Sequence, residues 1–298
     1  MRNVTVLLLS GALVASAAVA HAQEVDWKQV DAAFGRSPAT VAGDVHRYGF
    51  LRTDLTVTLD GVAIGPALAL GGWIALKPMH GEAMAMGDLV LLETEINPVL
   101  TKMIESGIEI TAVHNHLLRG NPATFYMHVG GHGDPVKLAT AIRTALAESK
   151  TPLGAPAAAA TPPPAIDLDT APLDQIIGVK GQANGGVYQF AVPRRDSIKM
   201  AGTPLSPAGP LGVATAIGFQ PTGSGKAAIT GDFVMTAEEV NPVIKALRAS
   251  NIEITALHSH MLDEEPRLFF MHFWANDDAI KLAQGLRAAL DKMANANN

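Results

Sequence analysis

Residues 108–118 read IEITAVHNHLL, and residues 252–262 read IEITALHSHML, so the second stretch repeats the first 144 positions later. The copying extends outward in both directions. GDLVLLETEINPVL from Gly87 answers GDFVMTAEEVNPVI from Gly231, and PATFYMH from Pro122 answers PRLFFMH from Pro266. Gly87 to Glu148 aligns without a gap on Gly231 to Lys292, with 27 of 62 positions identical, which is far beyond chance and makes the chain a tandem repeat. Further upstream the match thins to VDAAFG at Val30 against LDQIIG at Leu173, and Arg52-x-Asp54 against Arg194-x-Asp196. The copies are therefore read as residues 26–148 and 173–293. Between them, residues 149–172 form a Pro/Ala tract without apolar periodicity, expected to be an extended, semi-rigid linker.

Within a copy, Leu89 to Leu92 predicts an apolar strand, and Asn97-Pro98 supplies a helix N-cap and first-turn proline, as Asn241-Pro242 does in copy two. Ile108 to Leu117 and Thr124 to Val129 predict two more strands. A closing helix starts near Asp134, with Leu138, Ile142 and Leu146 on one face. Short alternating runs upstream, such as Leu55 to Leu59 and Tyr188 to Val192, read as hairpins. The expected class is α+β: two ferredoxin-like βαββα units, each extended by N-terminal β-hairpins, packed about a pseudo-twofold axis.

The repeated motif holds the candidate site. Strand side chains alternate faces, so His114 and His116 point the same way, about 7 Å apart along the strand. Pro122 lies midway between His116 and His128, and a hairpin symmetric about it sets those two across from each other; Pro266 does the same for His260 and His272. With His258, each copy thus offers three converging imidazoles. Glu95 and Glu239, two residues before the helix-capping asparagines, are expected at the same sheet edge. Three histidines with or without a carboxylate suit a divalent transition metal such as zinc or copper, and nitrogens closer than about 4.5 Å are ready to share one ion. Three functions stay open on these residues: a metal-binding protein; a metal-dependent hydrolase with Glu95 or Glu239 as base; and a metal-free ligand-binding or scaffold module whose histidines are hydrogen-bonded core. Phe273-Trp274, where copy one has Val129-Gly130, suggests a small-molecule pocket in copy two. Met79-His80 with Met84 and Met86 offers soft ligands, read more simply as a hairpin loop. Arg52/Asp54 and Arg194/Asp196 read as structural ion pairs.

Composition narrows the context. Residues 1–22 have the form of a secretory signal: Arg2, an apolar run from Val4 to Val19, and Ala20-His21-Ala22 before the cut. Its removal leaves 21 basic against 28 acidic residues, which speaks against nucleic acid as a partner. There is no cysteine, so thiolate chemistry, disulfides and lipid attachment through cysteine are excluded. The expected product is a periplasmic or secreted protein without a membrane anchor. Its partner would be a metal ion or a small molecule.

The assembled motif, GD-(F/L)-V, E-x-NP-V, IEITA-(L/V)-H-x-H and F-x-MH, resembles the LppY/LpqO family, built on a bacterial domain of unknown function. The resemblance covers Val30 to Lys292 apart from the linker. It implies an exported bacterial protein and carries across no catalytic residues. Named members resemble lipoproteins, from which this cysteine-free sequence departs.

Overall fold

The computed structural model describes residues 24–79, 81–154, 165–206 and 210–295. The signal segment 1–22 and His80 lie outside the described residues. Copy one runs α1 (Trp27–Phe34), β1 (Thr40–Ala42), β2 (Val45–Leu51), β3 (Val57–Leu59), β4 (Val62–Ile64), α2 (Pro66–Ala69), β5 (Gly71–Met79), β6 (Glu82–Leu92), α3 (Glu93–Glu105), β7 (Glu109–His114), β8 (Thr124–Gly133) and α4 (Pro135–Leu146). Copy two runs α5 (Thr170–Ile177), β9 (Gln182–Asn184), β10 (Val187–Val192), β11 (Ile198–Met200), β12 (Thr203–Leu205), β13 (Thr215–Gly223), β14 (Lys226–Met235), α6 (Ala237–Ala249), β15 (Glu253–His258), β16 (Glu264–Glu265), β17 (Phe269–Asp278) and α7 (Ala279–Leu290). No helix among these residues is long and apolar enough to cross a membrane.

The chain is a mixed α/β protein of two similar halves, each built on a six-stranded sheet, ordered β1-β2-β5-β6-β8-β7 and β15-β17-β14-β13-β10-β9. Every strand pairing is antiparallel, so β6 and β7, both beside β8, run parallel to each other.

Period-two alternation decides what each face does. In β6 and β8 the odd-numbered Ala83, Ala85, Leu89, Leu91, Met127 and Val129 turn to the helices and join Val99, Met103, Leu138 and Ile142 in one core. Ile229, Phe233, Met235, Met271 and Phe273 do the same in copy two with Val243, Leu247, Leu282 and Leu286. Each valine, leucine, isoleucine, phenylalanine or methionine among them, once fully buried, stabilises the fold by about 1.5–3 kcal/mol. The even-numbered residues face the other copy.

Two apolar clusters made from both halves close this interface. One joins Ala75, Met84 and Met86 to Ile198, Leu205, Val234 and Phe270; the other joins Val57, Leu59, Val90 and Tyr126 to Ala228 and Trp274. Polar contacts lock the halves together as well: Arg119 pairs with Glu253 at 2.7 Å, Thr111 Oγ1 donates to His260 O at 2.6 Å, and Trp274 Nε1 donates to Asp60 at 3.0 Å.

Three local expectations need correction. The helix after the first apolar strand begins at Glu93, not at Asn97, because Glu95 caps it by accepting from Leu92 N at 2.8 Å; Pro98 then lies inside the helix. In copy two Glu239 accepts from Thr236 N at 2.8 Å in the same way, leaving Asn241-Pro242 internal. The linker is shorter than its composition suggests. Arg36 Nη2 donates to Pro152 O and Gly154 O, both at 2.6 Å, and Arg143 Nη1 to Leu153 O at 2.7 Å, so its first residues are fastened to copy one. Its last residues form the start of α5, capped by Asp169. Finally, Phe273 packs in the helix-side core and Trp274 under the β3–β4 hairpin, so both are core residues.

Candidate metal centre

The facing sheets bring all six repeat histidines to one place. His114 stacks on His258 with ring centroids 3.6 Å apart, His116 lies 3.6 Å from His272, and His128 lies 3.8 Å from His260. The outer rings are backed by aromatics: Tyr126 against His116 at 3.3 Å, and Phe270 against His260 at 3.4 Å. Exchanging residues by the 144-position offset turns one stack into the other.

The strand register differs from the proline-midpoint expectation. β7 ends at His114, which pairs with Tyr126, and a bulge between Ile110 and Ala112 sets Ala112 across from His128. His116 therefore lies past the strand end, in the connection to β8. On its other side His128 pairs with Asp88 on β6, as His272 pairs with Asp232 on β14. Those carboxylates come close. Asp88 is 3.7 Å from His116 Nε2 and 3.9 Å from His128 Nε2, while Asp232 is 3.1 Å from His260 Nε2.

The Gly-Asp dipeptide that opens each aligned segment thus serves the site twice. Gly87 O contacts His128 Nδ1 at 3.2 Å and Gly231 O contacts His272 Nδ1 at 2.7 Å. A carbonyl on Nδ1 fixes the tautomer and leaves the Nε2 lone pair facing the cluster, the arrangement that orients metal-binding histidines. Only glycine fits there, since a Cβ at Gly231 would lie 2.0 Å from Ala216 O and one at Gly87 2.7 Å from Trp73 O.

Eight buried nitrogens of these six rings have no hydrogen-bond partner: both of His114, both of His258, and Nε2 of His116, His128, His260 and His272. One oxygen each of Asp88 and Asp232 shares that condition. Unpaired polar atoms in an interior cost about 1–3 kcal/mol each, so such a cluster calls for an ion or ordered water. Burial, joined for most of the rings by mutual repulsion, lowers the pKa of all six histidines, that of His272 against the opposing pull of Asp232 and Gly231 O, and so favours neutral rings with lone pairs available. Burial and the neighbouring Asp232 push Asp88 well up; burial raises Asp232 to about 6 against the pull of His272.

Three groups of histidines have ligand nitrogens within 4.8 Å of one another: His114/His116/His272, His114/His128/His258 and His258/His260/His272. Among the described residues only the last lies within one copy; the other two draw on both. Small ring rotations bring such nitrogens to the spacing set by bonds near 2.1 Å.

Glu95 and Glu239 belong to none of these groups. Each starts a helix on the opposite side of the sheet and is held by an arginine. Glu95 pairs with Arg52 at 2.7 Å, which also binds Asp54 and Val90 O; Glu239 pairs with Arg194 at 2.6 Å, which also binds Asp196 and Val234 O. These are buried structural networks, and the carboxylates nearest the histidines are Asp88 and Asp232 instead. The clue to them was present in the Gly-Asp pair common to both copies.

A family model described as Domain of Unknown Function (DUF1259) matches residues 28–148 and again residues 171–292. No curated protein matches the sequence. Two solved structures align over most of the chain. One is a trimeric bacterial microcompartment shell protein, PduB, 14% identical over 87% of this chain and 95% of that one, with a TM-score of 0.22. The other is EtuB from Clostridium kluyveri, 10% identical over 85% and 88%, with a TM-score of 0.19. Scores this low carry no argument about fold or assembly.

Proposed function

The chain belongs to the DUF1259 family, whose domain it carries twice, and from that premise we propose that it binds a divalent transition metal, zinc or copper, in the histidine core between its two copies. The observation that carries this reading is the set of eight buried, unpartnered imidazole nitrogens. The ligands are His114, His116, His128, His258, His260 and His272 in mixed triads, with Asp88 and Asp232 as flanking carboxylates. Glu95 and Glu239 have no part in it. The sequence-level LppY/LpqO resemblance belongs with this proposal, as does a ferredoxin-like reading of each half, in which β5 fills the fourth-strand place beside β6. The export signal in residues 1–22 sets the protein in the periplasm or medium. N-terminal sequencing of the secreted form that found the first 22 residues intact would remove that element.

The test uses protein purified without a histidine tag. His114→Ala/His258→Ala removes a ligand from every triad and breaks no hydrogen bond, because neither ring makes one. Metal analysis should find bound zinc or copper in the parent and little in the variant. Equal content in both ends the proposal.

One observation favours a hydrolytic version. A cavity of about 290 Å³ beside the core is lined by Asp88, Asp232, His116, His260, His272 and Arg47. A metal there would supply an activated water, and Asp232, raised to about 6, is suited to accept its proton. An Asp232→Asn variant that keeps its metal and loses hydrolysis of an activated ester would support this version, whereas unaltered hydrolysis would refute it.

A further inference from the structure

Five of the eleven methionines meet at a place beside the histidine triads, separated from their centre by the His260 ring. Met79, Met84 and Met86 of copy one and Met200 and Met261 of copy two line a cavity of about 210 Å³, of which His260 forms another wall. Met84, Met86 and Met261 are buried, as is His260.

The repeat shows that packing alone does not require these residues. At the 144-position offset, Met84 and Met86 correspond to Ala228 and Thr230, and Met261 corresponds to Leu117. The same architecture is filled on the other side without methionine, so sulfur is concentrated in one of two equivalent locations. A thioether is neutral, polarizable and a poor partner for hard cations. Several together, beside a neutral imidazole, suit a soft monovalent ion. Glu109 and Asp263 line the same cavity and supply compensating charge.

We infer that this methionine-lined cavity is a Cu(I) site, distinct from the histidine triads between the sheets. The test is anaerobic titration of the whole protein with Cu(I) against bicinchoninate as competing chelator. Met84→Leu/Met86→Leu conserves volume and keeps the fold, and Met200→Leu on the opposite wall is a second, independent variant. Each should weaken Cu(I) binding by roughly tenfold or more, the scale on which metal sites register altered shells, while zinc content stays at the parental level. His114→Ala/His258→Ala should do the reverse, losing zinc and keeping Cu(I). Cu(I) affinity unchanged in both methionine variants would overturn the inference and leave these side chains as core filler.

Discussion

Lowering the pH of chelator-treated, metal-free protein from 7 to 5.5 should strip away much of its stability. In the fold the six repeat histidines stay neutral, since burial and mutual repulsion depress their pKa. In the unfolded chain they titrate near 6.5 and take up protons across this interval. Below that value the unfolded state binds more protons than the native one, so acid favours unfolding. Each ring that stays neutral contributes about 1 kcal/mol between pH 7 and 5.5, and the set several times that. The aspartates act in the opposite sense, because raised carboxylate pKa values make the folded state the better proton acceptor. Asp88 and Asp232 therefore return part of the histidine loss over the same range. The net loss is on the order of a few kcal/mol, a large part of the 5–15 kcal/mol typical of a folded protein. Urea unfolding at the two pH values measures it directly, and His114→Ala/His258→Ala should reduce the histidine part by about a third. A stability that differs by less than about 1 kcal/mol between the two pH values would mean that the rings take up protons in place, which a closed imidazole core forbids.

Other outcomes follow from the same contacts. Glu95→Gln removes one of the two carboxylates that balance the buried Arg52 and should destabilise by about 3–5 kcal/mol in denaturant titration, without altering metal content. Burial raises the Glu95 and Glu239 pKa values, but hydrogen bonds from Arg52 and Arg194 and from backbone amides outweigh it and the net shift is downward. Their stabilisation is therefore full above the unfolded carboxylate value near 4.3 and fades as pH falls through the lower folded values, visible as a second acid transition below that of the histidines. Asp88→Asn/Asp232→Asn should weaken metal binding by about 10–100-fold, read by competition with a chromophoric chelator. Gly231→Ala drives a Cβ into Ala216 O and should cost about 1–3 kcal/mol or more, whereas Gly154→Ala, with nothing within 4 Å, should be silent.

The duplication, most strand positions and the six histidines were legible because they follow from local periodicity and from comparing the chain with itself. The error at His116 arose from assuming a symmetric hairpin: a bulge at Ile110/Ala112 and an early end to β7 move the pairing, and neither leaves a mark in residue type. Glu95 was misassigned because an acidic residue near a helix start suits a metal or a cap equally well; the choice rests on Arg52, 43 positions away. Asp88 and Asp232 were overlooked although the repeat displays them. Their partners lie across a sheet, and period-two alternation reveals the shared face only once the register is known. That each triad but one spans both copies could not be read from either copy alone.

Because two of the three ligand sets straddle the two halves, the six-ring centre is complete only when both are present. A single-copy relative could assemble the same six rings only by pairing with itself, and every substitution would then appear on both sides at once. Joining the copies in one polypeptide lifts that restriction. Met84 can stand opposite Ala228, and Gly130 opposite Trp274, so one side of an inherited symmetric arrangement has become chemically different from the other while the shared centre keeps its ligands.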